Sequence, residues 1–200
     1  LDASNVLEKN IASVIMPIGI DHKDFLKEGT IDEIVYEKCS HLLEESKIVI
    51  SEQKNDVLDK IKKNISRNSS EKIIFSKNYN YKKNTNGFIY TDKMGKINLP
   101  LPNLLGDFQI SNVSTAIATA RNLTQFKITE QHIKKAITKI KSEGRLQTIT
   151  KGKLRECVTE NNQILIDGAH NTLAASVISE YLKTLDGGRK IFMVLGMMAN

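Results

Sequence analysis

Short apolar runs and longer amphipathic stretches alternate along the first part of the chain. Each apolar run has the length of a strand, and its continuous hydrophobic character is typical of a strand buried on both faces. The amphipathic stretches repeat their apolar residues at helical spacing, which indicates helices with one buried side. We predict strands at Ile11–Met16, Ile48–Ile50 and Ile73–Phe75, and helices from Thr30 to about Leu43 and from Asp56 to about Ile65. This alternation predicts an α/β fold whose parallel sheet is connected by crossover helices.

The pattern changes in the middle of the chain and restarts after Gly144. The turn-forming sequence Asp92-Lys-Met-Gly95 lies between two apolar stretches and therefore predicts a β-hairpin. The restart after Gly144 places a domain boundary near residues 142–145. The predicted elements are hairpin strands Phe88–Tyr90 and Ile97–Leu99, helices Gln109–Leu123 and Thr129–Ile140, strands Leu146–Thr150 and Gln163–Asp167, helix Thr172–Leu185 and strand Ile191–Leu195.

The composition is that of an ordinary globular chain, with 200 residues that are 40% hydrophobic and 26% charged. Its 11 Gly, 3 Pro and 2 Cys exclude collagen-like, low-complexity and disulfide-scaffold proteins. The longest apolar run, residues 11–20, is interrupted by Pro17 and is shorter than the roughly 20 residues that a membrane span needs. Cys39 and Cys157 lie far apart in sequence and favour a reducing compartment. We therefore expect a cytoplasmic protein with no membrane partner.

The net charge of +6 is concentrated between Lys54 and Lys83. Basic runs of this kind occur in nucleic-acid-binding proteins. Aromatic residues such as Tyr79 and Tyr81 do not alternate with most of these charges, as base stacking would require, so we interpret the run as a solvated surface. We expect no nucleic-acid partner, and binding to duplex DNA with a steep salt dependence would contradict that expectation.

Two positions near the predicted sheet carry side chains that could bind a metal or take part in a reaction. Asp21-His22 follows the first strand, at the sheet edge where open α/β folds bind their ligands. An imidazole there can coordinate a divalent metal or act as a base, although a loop histidine with a hydrogen-bonding role is the common alternative. Lys38 falls within the apolar stripe of its helix. It is either a lysine that extends its amine to solvent or a partly buried, more nucleophilic amine.

Asp167-Gly-Ala-His-Asn171 combines an acid at a strand end, a turn glycine and a helix start, which is an arrangement that holds nucleotides in α/β folds. An ordinary strand-to-helix turn at Gly168 is the alternative. Arg145 lies at the predicted boundary, where a guanidinium suits phosphate recognition and a plain surface arginine is the alternative. The 200 residues contain no G-x-x-x-x-G-K-[ST], G-x-S-x-G, C-x-x-C or H-E-x-x-H motif.

The order of these motifs resembles the folylpolyglutamate synthase/dihydrofolate synthase family of the Mur ligase superfamily. Each motif alone is weak, and their shared order makes the resemblance specific. The matching segments are Leu1-Asp-Ala-Ser-Asn5, Ile18-Gly-Ile-Asp-His22, Glu37-Lys38, Gly106-Asp-Phe-Gln109 with Asn112, Gly144-Arg-Leu-Gln147, Asp167-Gly-Ala-His-Asn171 and Leu195-Gly-Met197. The resemblance implies that residues 1–143 form part of a central ATPase domain and that residues 144–200 begin a Rossmann-like C-terminal domain.

The resemblance also implies an activity and a set of site residues. The family uses ATP to phosphorylate a carboxylate of a folate or dihydropteroate, and the amine of L-glutamate then displaces the phosphate. By resemblance, His22 and a carbamylated Lys38 would bind Mg²⁺, and Lys38 and His170 would be catalytic. Asn112, Arg145 and Asp167 would bind ATP. Small-molecule substrates and a monomeric full-length enzyme are expected.

Some family features do not occur in these residues. The glycine-rich phosphate-binding loop and a metal-binding glutamate belong to sequence upstream of Leu1, and Phe108 stands where histidine is common. We therefore expect a truncated form at both ends, inactive by itself. The alternatives are a non-catalytic remnant that retains binding, and another Mur-type amide ligase that acts on cell-wall precursors.

Overall fold

The computed structural model describes residues 7–21, 26–185, 187–188 and 190–196. Its first part is built on a parallel sheet with the order β1-β2-β3, in which Val14, Val49 and Ile73 lie side by side. The strands are β1 (Ala12–Ile15), β2 (Lys47–Ile50) and β3 (Glu71–Ile74), connected by helices α1 (Ile31–Ser40) and α2 (Asn55–Asn64). The predicted parallel sheet with crossover helices is confirmed.

Burial of the sheet differs between its strands. In β2, Ile48, Val49 and Ile50 are all fully buried, as predicted from the apolar run. In β1, Val14 is 42% exposed, so the prediction that this strand is buried on both faces is wrong. The hydrophobic cluster that covers Val49 and Ile73 does not include Val14, because β1 lies at the sheet edge within the described residues.

Helix α1 begins where its capping sequence predicts. The Thr30 hydroxyl accepts a hydrogen bond from the Glu33 backbone N–H at 3.3 Å, and the Glu33 carboxylate accepts one from the Thr30 N–H at 3.4 Å. This reciprocal pair satisfies two backbone donors that would otherwise lack partners at the helix start. The helix ends at Ser40, before the predicted Leu43. Its buried side consists of Ile34, Val35 and Cys39.

An antiparallel sheet follows, formed by β4 (Tyr79–Asn84), β5 (Gly87–Asp92) and β6 (Gly95–Pro100). The predicted hairpin is β5 and β6, with Asp92 opposite Gly95 at the turn. Strand β4 was not predicted, because most of its residues are polar and exposed. Its pairing along the full length of β5 provides the stability that its own sequence does not indicate.

Helix α3 (Phe108–Asn122) packs between the two sheets, since it contacts β2, β4 and β5. Its residues Ile110, Val113 and Ile117 join the larger hydrophobic core, which also contains Ile133 and Ile137 of α4 (Glu130–Lys139). The Ser111 hydroxyl near the start of α3 donates a hydrogen bond to Glu52, so this end of the helix lies close to the carboxyl end of β2. This placement sets the position of the candidate site.

The last part of the chain is less regular. Strands β7 (Gln147–Thr148) and β8 (Leu165–Ile166) pair antiparallel, α5 (Lys153–Glu156) connects them, and α6 (Thr172–Lys183) follows. Short α5 carries no strong helical pattern and was not predicted. The predicted strand at Ile191–Leu195 is wrong: these residues are irregular, and Phe192 is 88% exposed. Within the described residues no strand pairs with this segment, and an apolar run alone cannot satisfy its backbone polar groups.

No helix in the described part of the chain has both the length and the apolar character required to cross a membrane.

Candidate functional site

The loop after β1 is held by Gln53, the third residue after the end of β2. The Gln53 side-chain oxygen accepts a hydrogen bond from the Ile18 N–H at 2.9 Å, and its side-chain nitrogen donates to the Met16 carbonyl at 2.9 Å. The same nitrogen lies 3.2 Å from the Ser51 hydroxyl. This side chain therefore pairs with the backbone as a neighbouring strand would, and it fixes the path of the chain beyond β1.

Asp21 lies further along this loop and contacts the second part of the chain. The Asp21 carboxylate accepts a hydrogen bond from the Asn171 side-chain amide at 2.8 Å, and the same oxygen is 3.4 Å from the His170 Nε2. The next residue in the sequence, the predicted metal ligand His22, lies outside the described residues. The structure thus brings Asp21, His170 and Asn171 together, while the metal-binding role of His22 stays a prediction.

Asn171 performs two functions at the start of α6. Its side-chain oxygen accepts from the Ala174 N–H at 2.8 Å and caps the helix, while its amide nitrogen reaches Asp21. Beside this contact, Gly19 lies against Leu173, and a Cβ at Gly19 would approach the Leu173 Cβ to 3.0 Å. The close packing of Gly19 and Leu173 and the polar contact of Asp21 with Asn171 join the β1 loop to the start of α6.

Asp167 organises the segment around the predicted domain boundary. One carboxylate oxygen accepts from the Leu146 N–H at 2.7 Å and the other from the Ala169 N–H at 2.8 Å. The Gly168 N–H donates to the Gly144 carbonyl at 2.8 Å. Asp167 therefore ties the chain at 144–146 to its own loop, and the Leu146 backbone adopts a φ of 46° in the left-handed region.

Arg145 is exposed, and its guanidinium lies over Gly168. A Cβ at Gly168 would stand 3.1 Å from the Arg145 Nη1, so glycine permits this close approach. The predicted residues Arg145 and Asp167 thus lie in one connected segment with the His170 loop. A cationic side chain beside a loop that enters a helix is suited to phosphate groups.

Asn112 directly follows the first turn of α3 and is half-buried. Its side-chain nitrogen donates to the Gln109 side-chain oxygen at 3.0 Å, and Gln109 itself is buried. The neighbouring Ser111 hydroxyl donates to the Glu52 carboxylate at 3.1 Å. Asn112 therefore has a supported side chain at the end of α3 that faces the carboxyl end of β2.

Lys38 is exposed on α1, so the interpretation of a partly buried amine is wrong. The helix buries Ile34, Val35 and Cys39, and position 38 lies at the edge of this stripe, where a long side chain reaches solvent. The expected carbamate on Lys38 stays a prediction.

Burial affects the titration of a tyrosine near Asn112. Burial, together with the hydrogen bond that the Tyr81 hydroxyl donates to the Glu52 carboxylate, raises the pKa of Tyr81 to about 12. The hydroxyl is therefore a proton donor at neutral pH. Together with Ser111, it satisfies one oxygen of Glu52.

Glu52 and Gln53 carry no motif in the sequence and are not among the predicted site residues. Both lie within three residues of the end of β2, and the rule that selected Asp21 after β1 applies equally to them. Glu52 is an exposed residue in a polar sequence, however, and its hydroxyl partners come from β4 and α3. These contacts depend on the packing of distant elements and leave no local signal in the sequence.

The described side chains alone do not form a metal site. Within the described ranges no three His, Cys, Asp or Glu side chains cluster closely enough to hold an ion. Asp21 is an oxygen donor of the type that Mg²⁺ prefers, but one of its oxygens is engaged by Asn171. Magnesium binding therefore stays a prediction from the resemblance.

Comparison with known proteins confirms the resemblance. The chain is 28% identical over 215 residues to the dihydrofolate synthase/folylpolyglutamate synthase of Haemophilus influenzae, an alignment covering 99% of this chain and 46% of the relative. It is 29% identical over 204 residues to the same enzyme of Buchnera aphidicola from Acyrthosiphon pisum, covering 99% of this chain and 44% of the relative. These proteins are homologues of this chain. No protein-family model matches the sequence.

The fold agrees with the sequence similarity. A solved FPGS–AMPPCP–folate complex superposes with a TM-score of 0.79 at 26% identity, covering 93% of this chain and 45% of the solved chain. The predicted α/β fold with a parallel sheet, of Mur-ligase type, is thereby confirmed. The chain spans less than half the length of the curated relatives to which it is similar.

Proposed function

We propose that this chain is part of an ATP-dependent ligase that joins L-glutamate to a carboxylate of a folate or dihydropteroate. The observation that carries the proposal is its similarity to folylpolyglutamate and dihydrofolate synthases over 99% of its length. The contact of the Asp21 loop with the Asp167–Asn171 loop supports it, because both loops contain motifs of that family. The proposed cellular location is the cytoplasm.

The reaction requires activation of the acyl group. A free carboxylate is a poor acyl donor, since the group that leaves would be an oxide. Transfer of the γ-phosphoryl group of ATP to a carboxylate oxygen forms an acyl phosphate and ADP. The neutral amine of glutamate then attacks the carbonyl carbon, phosphate leaves, and the amine loses a proton as the amide forms. The substrates are therefore small molecules, and the proposed full-length enzyme is a monomer.

The proposed roles of the site residues follow from their chemistry. Asn112 and Asp167 would contact adenosine, since an amide and a carboxylate can bind base and ribose groups. Arg145 would contact phosphate oxygens, and its exposed guanidinium leaves it accessible to them. His170 would lie at the junction of the two parts, and its contact with Asp21 orients its ring toward that junction.

The proposed magnesium site involves His22 and a carbamate on Lys38. When bound, Mg²⁺ neutralises the charge that gathers between phosphate oxygens and a carboxylate. The exposed amine of Lys38 is accessible to CO₂.

The proposed domains are residues 1–143, belonging to an ATP-binding domain, and residues 144–200, belonging to a Rossmann-like domain.

Equilibrium binding of AMPPCP to the purified chain tests this proposal. We expect binding that Arg145→Ala weakens about tenfold, because charge-assisted hydrogen bonds to phosphate are lost. Arg67→Ala removes an exposed arginine outside the site and serves as the matched control. Equal affinities for the wild type and Arg145→Ala, or no binding by the wild type, would contradict the proposal.

A substrate comparison separates the folate reaction from related amide ligations. Binding of dihydropteroate and a reduced folate is compared with binding of a nucleotide-linked muropeptide in the presence of AMPPCP. Preference for the pterins supports the proposal, whereas preference for the muropeptide would assign the chain to cell-wall chemistry.

A further inference from the structure

Two adjacent residues after β2, Glu52 and Gln53, contact opposite sides of the candidate site. Gln53 binds the backbone on both sides of Pro17, at Met16 and Ile18. Glu52 binds hydroxyl groups of β4 and α3. No sequence motif singled out either residue, and neither has a role in the proposed reaction.

Glu52 connects three elements through one carboxylate oxygen. The Tyr81 hydroxyl donates to this oxygen at 2.9 Å and the Ser111 hydroxyl donates at 3.1 Å. Tyr81 lies in β4 and packs its ring 5.6 Å from that of Phe75, while Ser111 directly precedes Asn112 in α3. A carboxylate with two hydroxyl donors fixes the first turn of α3 relative to the end of β2.

Gln53 connects the loop to the sheet. Pro17 has no backbone N–H, so the chain beyond Met16 cannot continue an unbroken strand ladder. The Gln53 amide instead supplies one acceptor and one donor to the flanking residues. The loop held in this way continues to Gly19 and Asp21, which contact the start of α6.

We propose that Glu52 and Gln53 are positioning residues of the nucleotide site, and this inference rests on the proposed function. Glu52 holds the turn that carries Asn112, so it controls recognition of the nucleotide base. Gln53 holds the loop that meets the His170–Asn171 segment, so it controls how the two parts of the site come together. Neither side chain needs to touch the nucleotide itself.

The two residues therefore have different expected effects on nucleotide binding. In Glu52→Ala, the turn with Asn112 loses its support, and the ratio of ADP to GDP affinity falls about three- to tenfold, as for one lost hydrogen bond. In Gln53→Leu, the affinities for ADP and GDP fall by the same factor, and their ratio is unchanged. A variant that merely unfolded would lose affinity for ADP and GDP alike, so unfolding would not change the ratio in one variant and leave it unchanged in the other.

The experiment measures ADP and GDP binding by calorimetry for the wild type and both variants. Tyr81→Phe is a milder second test of Glu52, because it removes one hydroxyl donor and keeps the ring. Glu71→Ala is the control. Glu71 is an exposed glutamate at the start of β3, and it pairs with Lys47 at the start of β2. We expect this control to bind both nucleotides as the wild type does.

Hydrogen exchange supplies a second measurement that does not require nucleotide. We expect the Ile18 amide to exchange about tenfold faster in Gln53→Leu, because it loses its hydrogen-bond acceptor. Unchanged Ile18 exchange would overturn the role of Gln53.

The outcomes distinguish this inference from the proposed function. If the wild type prefers ADP and Glu52→Ala keeps the same preference, the role of Glu52 is overturned while the proposed function stands. If the wild type binds neither nucleotide, the proposed function fails, and with it the nucleotide role of both residues.

Discussion

Asp167 shows how one side chain organises a loop on which several proposed site residues depend. Its two oxygens accept hydrogen bonds from the Leu146 and Ala169 backbone N–H groups, on opposite sides of β8 in the chain. A carboxylate is well suited to this arrangement because both of its oxygens are acceptors. The position of Arg145, next to Leu146, follows directly from these contacts.

The Asp167→Asn variant tests this role. An amide presents only one acceptor, so one of the two backbone N–H groups loses its partner. We expect the free energy of unfolding to fall by about 1–3 kcal/mol, measured by urea denaturation. Asp59→Asn, on an exposed face of α2, is expected to change stability little. Equal effects of the two variants would contradict a special role for Asp167.

The two cysteines differ in environment and give a second test at the level of single residues. Burial raises the pKa of the Cys39 thiol to about 11, while Cys157 is exposed. Because the thiolate is the reactive form, we expect iodoacetamide at pH 8 to modify Cys157 first. Peptide mass spectrometry measures the order, and faster labelling of Cys39 would show that α1 is not packed as described.

At the level of elements, strand β4 could not be predicted from its own sequence, yet it joins the two sheets. Its Tyr79 hydroxyl donates to the Ile50 carbonyl at 3.0 Å and lies 3.1 Å from the Thr115 hydroxyl. Buried tyrosines with bonded hydroxyls combine large apolar contact with satisfied polar atoms. A short, mostly polar strand is thereby anchored to β2 and α3.

This anchoring predicts a pH dependence. Burial raises the pKa of Tyr79 from 10.0 to about 12 in the folded protein. The neutral phenol therefore contributes stability that is fully present below pH 10 and is lost as the pH rises toward 12. We expect stability in urea to fall less between pH 8 and 11 in Tyr79→Phe than in the wild type. Tyr36→Phe, at an exposed tyrosine, is the control.

Gly87 at the start of β5 provides a steric test of the antiparallel sheet. A Cβ at this position would stand 2.0 Å from the Leu99 carbonyl oxygen, which is a backbone atom that cannot move aside alone. We expect Gly87→Ala to destabilise the protein by about 1–3 kcal/mol or more, measured by thermal denaturation. Gly188→Ala meets no atom within 4 Å, so this variant should retain the wild-type melting temperature.

At the level of the whole molecule, the contact between the β1 loop and the start of α6 joins parts of the chain that are far apart in sequence. Asp21 and Asn171 are separated by 150 positions and form a hydrogen bond of 2.8 Å. The connecting segment near residues 141–145 is exposed apart from the half-buried Gly144, so this segment depends on such contacts for its protection.

Limited proteolysis with trypsin measures that dependence. Asp21→Ala removes the acceptor for Asn171, so we expect faster cleavage after Lys141 and Arg145, which are exposed in the connecting segment. Asp32→Ala removes an exposed carboxylate paired with Lys60 elsewhere and should leave the cleavage rate unchanged. The contact would be unimportant for the whole molecule if both variants were cleaved at the wild-type rate.

The sequence by itself determined the elements whose signal is local and the family to which the chain is similar. The capping pair Thr30–Glu33 marked the start of α1, and the apolar run of β2 marked a buried strand, because caps and hydrophobic periodicity depend on neighbouring residues. The ordered motifs around Asp21, Asn112 and Asp167 indicated the ligase resemblance for the same reason. None of them required knowledge of the fold.

Only the tertiary structure decided which side chains meet and which are exposed. It left Val14 and Lys38 open to solvent, left residues 191–195 without a strand partner among the described residues, and formed β4 from a polar sequence. It also brought Glu52 to Ser111, a contact across 59 positions. Burial and long-range hydrogen bonds depend on the packing of distant elements, and no local pattern in the chain encodes that packing.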